Sequence, residues 1–134
     1  PKSYRTQLDN RLQLESFGYD MPLFVPYVSG AFMFLRTSIL DEIGVFDERF
    51  FMYPEDMDLS RRIAKVYQVK FVPDFVIIHK YGGATWKSLR MFIIHALNMC
   101  RYFNKWGWIF DKGRSDLNKL TLEQKPLSKL VKNL

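Results

Sequence analysis

The 134-residue chain is 48% hydrophobic and 16% aromatic, with 12 Phe, 7 Tyr and 3 Trp, which supports one compact domain and excludes a mostly disordered chain. One cysteine and two histidines exclude an intrachain disulfide and a Cys/His zinc cluster. The net charge of +6 is uneven: residues 1–85 carry 10 basic and 11 acidic side chains, residues 86–134 carry 10 and 3. That basic last third suits a phosphate-rich partner, an anionic membrane surface or a solvated tail.

No apolar run approaches the roughly 18–20 residues of a membrane span. The opening Pro1-Lys2-Ser3-Tyr4-Arg5 has no signal-peptide core and suits a chain cut from something longer. Residues 1–20 read as loop with some helix. The apolar run from Pro22 to Leu35, interrupted by Pro26 and Gly30, is strand-like and resembles a strand buried on both faces. Thr37 or Ser38 then offers an N-cap to a short helix over 38–43, which Gly44 stops. An aromatic loop, Val45–Tyr53, leads to a helix over 55–66 whose buried stripe is Leu59, Ile63 and Val66. Val69–Val72 and Phe75–Ile78 read as short strands ending at His79 and Gly82-Gly83. The longest helix spans 86–104. Leu89, Phe92, Ile93, Ala96, Cys100 and Phe103 form its expected packed face, widened by Met91, Ile94 and Met99, and Gly107 ends it. Cys100 there reads as a small buried hydrophobe. The remainder is a weak helix or an ordered tail.

Glu55-Asp56-Met57-Asp58 places three carboxylates in one helical turn. Acidic side chains favour a helix N-terminus, and Asp58 is placed to pair with Arg61 or Arg62 one turn on. Glu55 fits that structural account less well, because it shares the face of Leu59. Asp56 has Ser60 as its i+4 neighbour and meets no cation along the helix. One of these groups therefore suits a general base, with Asp56 the better placed and Asp58 a structural pin.

The stretch from Val28-Ser29-Gly30-Ala31 through Phe46-Asp47-Glu48-Arg49-Phe50-Phe51 to Glu55-Asp56-Met57-Asp58-Leu59-Ser60-Arg61-Arg62, then Phe71-Val72-Pro73 and His79, closely resembles the family-two glycosyltransferases. The likeness covers about residues 28–85 and is greatest to the rhamnosyltransferase-like branch that builds bacterial surface polysaccharides. It implies an α/β fold: the C-terminal half of the A-type nucleotide-diphospho-sugar transferase fold, a few strands flanked by helices. Residues 1–110 would then belong to the catalytic domain and 111–134 would be a basic tail.

By the same resemblance Asp56 aligns with the catalytic base and Glu55 orients Asp56 or the acceptor. Gly30, Ala31 and Arg62 fall at substrate-binding positions, with Gly30 and Ala31 letting backbone approach a sugar. For Gly30 a strand bulge is the structural alternative. His79 matches a histidine that helps hold Mn²⁺ or Mg²⁺ on the leaving diphosphate; a strand-end histidine bonded to backbone is the other reading. The implied partners are a nucleotide-sugar donor and a saccharide or lipid-linked acceptor. The implied place is the cytoplasm, in part at the inner face of the membrane.

Nothing before residue 28 resembles the donor-binding half of such enzymes or its metal-chelating Asp-x-Asp. The chain is expected to be an acceptor-side piece, inactive alone, with surface left for the missing half or a second copy to cover. The alternative is a non-enzymatic basic module gripping a polyanion or a membrane surface. Nucleic acid is disfavoured, because the apolar spacing on helix 86–104 indicates packing rather than display.

Overall fold

Local signals set the helices, and long-range pairing limits the strands. The computed structural model describes residue 14, residues 17–80 and residues 88–124. Within them lie β1 (Leu23–Phe24), α1 (Thr37–Ile43), α2 (Glu55–Ala64), β2 (Lys70–Phe71), α3 (Leu89–Trp106) and α4 (Lys112–Glu123). Gly82, Gly83 and the readings made for 1–13 and 125–134 lie outside the described residues.

Arg36 occupies the N-cap of α1 and no side chain caps it, so neither Thr37 nor Ser38 plays that part. Gly44 does stop the helix: at φ 81°, a conformation glycine adopts without a Cβ clash, its N–H donates to the Leu40 carbonyl. Pro54 precedes α2, accepting from the Asp58 N–H at 3.0 Å. Leu59 and Ile63 are buried as their spacing requires, but the helix closes at Ala64, and Val66 beyond it is exposed.

The strand-like runs mostly stay irregular. Only two residue pairs form a ladder, antiparallel, Leu23 with Phe71 and Phe24 with Lys70, extended by the Val25 N–H to the Val69 carbonyl at 3.1 Å. Residues 26–35 and 75–79, expected as strands, have no regular structure. Pro26 and Pro73 lack an N–H for a ladder, and an apolar run becomes a strand only where a neighbour pairs with it. The expected strands flanked by helices thus reduce to four helices and a two-stranded antiparallel sheet among the described residues.

After α3 the described chain forms one more helix. Asp111 caps α4, its Oδ1 accepting from the Arg114 N–H at 3.0 Å. Beyond the helix, Gln124 meets β1: its Oε1 accepts from the Phe24 N–H at 2.8 Å and its Nε2 donates to the Phe24 carbonyl at 2.7 Å.

α3 presents the opposite side to the one its apolar spacing suggests. Asn98 and Tyr102 are its buried residues, while Leu89 is 75% exposed and Phe92, Ile93, Leu97 and Cys100 are exposed with it. The expected packed face therefore points outward, and Cys100 is not a core residue. The cause lies in what α3 has to meet. The 47–54 loop offers backbone carbonyls and a carboxylate, which only polar side chains satisfy. Asn98 Nδ2 donates to the Met52 carbonyl at 2.8 Å, Arg101 to the Arg49 carbonyl at 3.1 Å, and Lys105 to Asp47 at 2.8 Å.

Candidate functional site

The start of α2 brings the two expected elements together across 26 residues of sequence. Asp56 Oδ2 accepts from the Gly30 N–H at 2.8 Å, and Oδ1 accepts from the Met57 N–H at 2.8 Å. One turn on, Ser60 Oγ accepts from the Val28 N–H at 3.2 Å. Positions i and i+4 of one helix thus hold the 28–30 segment at two points. A turn at Ser29 follows, with the Phe32 N–H donating to the Ser29 carbonyl and the Ala31 N–H to Ser29 Oγ. A Cβ on Gly30 would lie 3.5 Å from Asp56 Cβ and Oδ2, an ordinary contact. Two backbone donors fix the Asp56 carboxylate, and each oxygen keeps a second lone pair for a substrate hydroxyl.

Asp58 is fully buried and fully engaged. Its Oδ2 accepts from Arg62 Nε at 2.9 Å, the i,i+4 pair the spacing suggests. Its Oδ1 receives Lys105 Nζ at 2.7 Å and the Trp106 indole N–H at 2.8 Å. Arg62 also donates to the Ile43, Gly44 and Val45 carbonyls, at 2.8, 3.0 and 2.6 Å. Its guanidinium closes the C-terminal end of α1 onto α2. Arg61 turns the other way, making a bidentate pair with Asp111 at 2.5 and 2.7 Å beside the Tyr102 hydroxyl, with its guanidinium 4.2 Å from the Trp106 ring centroid. The Arg61 hydrogen bonds, supported by the Arg114 N–H, hold Asp111 below the usual carboxylate range against the opposing effect of burial. Arg49, and then Lys105, do the same for Asp47.

Beside this frame two buried polar atoms have no hydrogen-bond partner among the described residues: Glu55 Oε2 and His95 Nδ1. The Tyr53 ring meets the His95 ring edge-on at 4.8 Å between centroids, two residues before Glu55. The sequence pattern does not mark His95 or Asp111 as site residues. Asp111 left one trace there, as the lone carboxylate between residues 86 and 115.

His79 lies exposed in an irregular segment. Among the described residues no three His, Cys, Asp or Glu side chains gather as a metal site. Those residues do not by themselves fit a divalent ion. A cavity of about 470 Å³ is lined by Val28, Ser29, Phe32, Ser60 and Phe71 among others, without Glu55 or Asp56.

No family model matches the chain, and no solved structure matches it. Over 62 residues it is 37% identical to the N-acetylglucosaminyl-diphospho-decaprenol L-rhamnosyltransferase of Mycobacterium tuberculosis, in strains CDC 1551 / Oshkosh and ATCC 25618 / H37Rv. The matched stretch is 46% of this chain and 20% of each relative. The chain thus has a partial, distant similarity to a mycobacterial rhamnosyltransferase, and spans about a fifth of its length.

Proposed function

We propose that the chain is the acceptor-side part of an inverting glycosyltransferase of family two, corresponding to the C-terminal half of the A-type fold. The observation that carries this reading is the Asp56–Gly30 contact, which joins the Ser-Gly-Ala and Glu-Asp elements at one helix start. The partial similarity to a rhamnosyltransferase supports it.

In this reading an acceptor hydroxyl lies against Asp56. Its oxygen bonds to the anomeric carbon as the bond from that carbon to the nucleoside diphosphate breaks. The diphosphate leaves with the electron pair, the hydroxyl proton passes to Asp56, and the anomeric centre inverts. The Gly30 and Met57 N–H groups keep the carboxylate oriented throughout, and Glu55 orients Asp56 or the acceptor from the neighbouring position. Gly30 and Ala31 border the acceptor as exposed backbone. Arg62 shapes the site indirectly, by fixing α1 on α2. The donor would be held by a further part of the longer enzyme, and His79 would be one ligand, completed by that part, for a divalent ion that neutralises the leaving diphosphate.

The test is sugar transfer by the longer enzyme from a panel of nucleotide sugars, with product stereochemistry determined by NMR. Asp56→Asn keeps the shape and one of the two backbone hydrogen bonds while removing the basicity, and should lower turnover by roughly the 10²–10⁴ of general-base catalysis with donor binding unchanged. Full turnover in Asp56→Asn, or a retained anomeric configuration, would overturn the reading.

A further inference from the structure

The outward side of α3 is an apolar surface that the described fold leaves uncovered. At 100° per residue, Phe92, Leu89, Ile93 and Leu97 span an arc of about 140° with Ala96 and Cys100 between them. Leu89 is 75% exposed and each of Phe92, Ile93 and Leu97 is about half exposed. The surface continues past the helix end. Trp108 stacks on Phe103 at 5.2 Å between centroids and donates to Asn104 at 2.8 Å, which sets its ring on the same side. Ile109 and Phe110 follow, 78% and 96% exposed.

We infer that this face of α3, with the Trp108–Phe110 turn, is a docking surface for an anionic lipid bilayer, on which the helix lies in the plane of the interface. Charge argues for that occupant. α3 contains no Asp or Glu, and Arg90 follows Leu97 at one edge of the arc. The next carboxylate, Asp111, is already bound to Arg61, and Lys112 and Arg114 come after it. An apolar stripe edged by arginine, free of acid and ended by an exposed Trp is the composition of an interfacial helix. Charge also argues against a second copy. Packing of two such helices face to face offers the Arg90 of neither a carboxylate, since α3 has none. Among the described residues no helix is long and apolar enough to cross a membrane, so contact is with one leaflet. The inference uses no part of the glycosyltransferase mechanism, and it requires that the remainder of a longer enzyme leave this face open.

Co-sedimentation of the full chain with vesicles tests it. Vesicles of phosphatidylcholine with about a third phosphatidylglycerol should bind at least about tenfold more tightly than phosphatidylcholine alone, and added salt should weaken that preference. Trp108 emission should shift to the blue on binding and lose the shift in Trp108→Phe. The double variant L89E/I93E changes only exposed positions, so its circular dichroism should stay that of the parent while vesicle binding falls at least about tenfold. If that variant unfolds, Arg90→Gln decides the matter through loss of the anionic preference alone. Three results would overturn the inference: no vesicle binding, a salt-dependent shift with single-stranded nucleic acid in place of vesicle binding, or a lipid-free dimer that L89E/I93E converts to monomer.

Discussion

The Trp106 indole N–H and the Asp58 carboxylate, 48 residues apart, meet at 2.8 Å and join the last turn of α3 to the first turn of α2. With Lys105 and Arg62 on the same carboxylate, Asp58 becomes the fixed point around which two helices and the end of α1 are arranged.

Asp58→Asn leaves two cations facing a neutral, fully buried amide. Losing one partner of a buried pair costs about 3–5 kcal/mol. Urea unfolding should show that loss, with turnover per folded molecule of the longer enzyme largely retained. Asp56→Asn in the same assay should cost no more than about 1 kcal/mol, since the amide oxygen still accepts a backbone N–H. A mild Asp58→Asn beside a strongly destabilising Asp56→Asn would reverse the structural and catalytic assignments.

Acid should release the Arg61–Asp111 clamp. Asp111 has a folded-state pKa below its unfolded value, so unfolding takes up a proton there. The stabilisation is complete above the ordinary aspartate value of about 3.9 and declines as pH falls from there through the folded value. Asp47 adds in the same direction. Thermal melts of Asp111→Asn should be lower than those of the parent at pH 7, and the gap should narrow below pH about 4. A gap constant down to pH about 2 would exclude this linkage.

Two glycine-to-alanine variants should separate. At Gly107 φ is 109° and a Cβ would meet the Phe110 carbonyl oxygen at 2.9 Å, so Gly107→Ala should destabilise by at least about 1 kcal/mol. At Gly30 the added Cβ makes only ordinary contacts, so Gly30→Ala should stay within about 0.5 kcal/mol of the parent. If Gly30→Ala is nevertheless slower in turnover with stability unchanged, the glycine is there for the acceptor.

His95→Phe removes a buried ring nitrogen that has no partner among the described residues and keeps an aromatic edge against Tyr53. Deleting an unsatisfied polar atom in this way should be neutral or stabilise by about 1 kcal/mol, read from the midpoint of denaturant unfolding. Loss of turnover at unchanged stability would instead place His95 among the acceptor contacts.

What was legible in the sequence was what lies within one helical turn. The Asp58–Arg62 pair, the Leu59 and Ile63 stripe, and the stops at Gly44 and Gly107 all follow from i,i+4 spacing and backbone freedom. Periodicity also found a continuous apolar face on α3, but a face does not name its neighbour. The 47–54 loop demands donors, and Asn98, Arg101 and Lys105 supply them from the other side. Strands fared worst because each needs a partner distant in sequence. Residues 75–79 are apolar enough for a strand and join no ladder among the described residues. The Asp56–Gly30 contact sits between these cases: each half was visible, and their meeting across 26 residues was not.

Gln124 has a consequence for growth of the small sheet. In the β1–β2 register the Phe24 N–H and carbonyl point away from β2, and the Gln124 amide takes both. One side chain thereby imitates a peptide group of a third strand. An incoming chain that tried to extend the sheet beside β1 would have to break two good hydrogen bonds before making its own. Edge-to-edge association is thus discouraged on that flank by a single amide, and strand addition is steered to the other flank, beside Lys70.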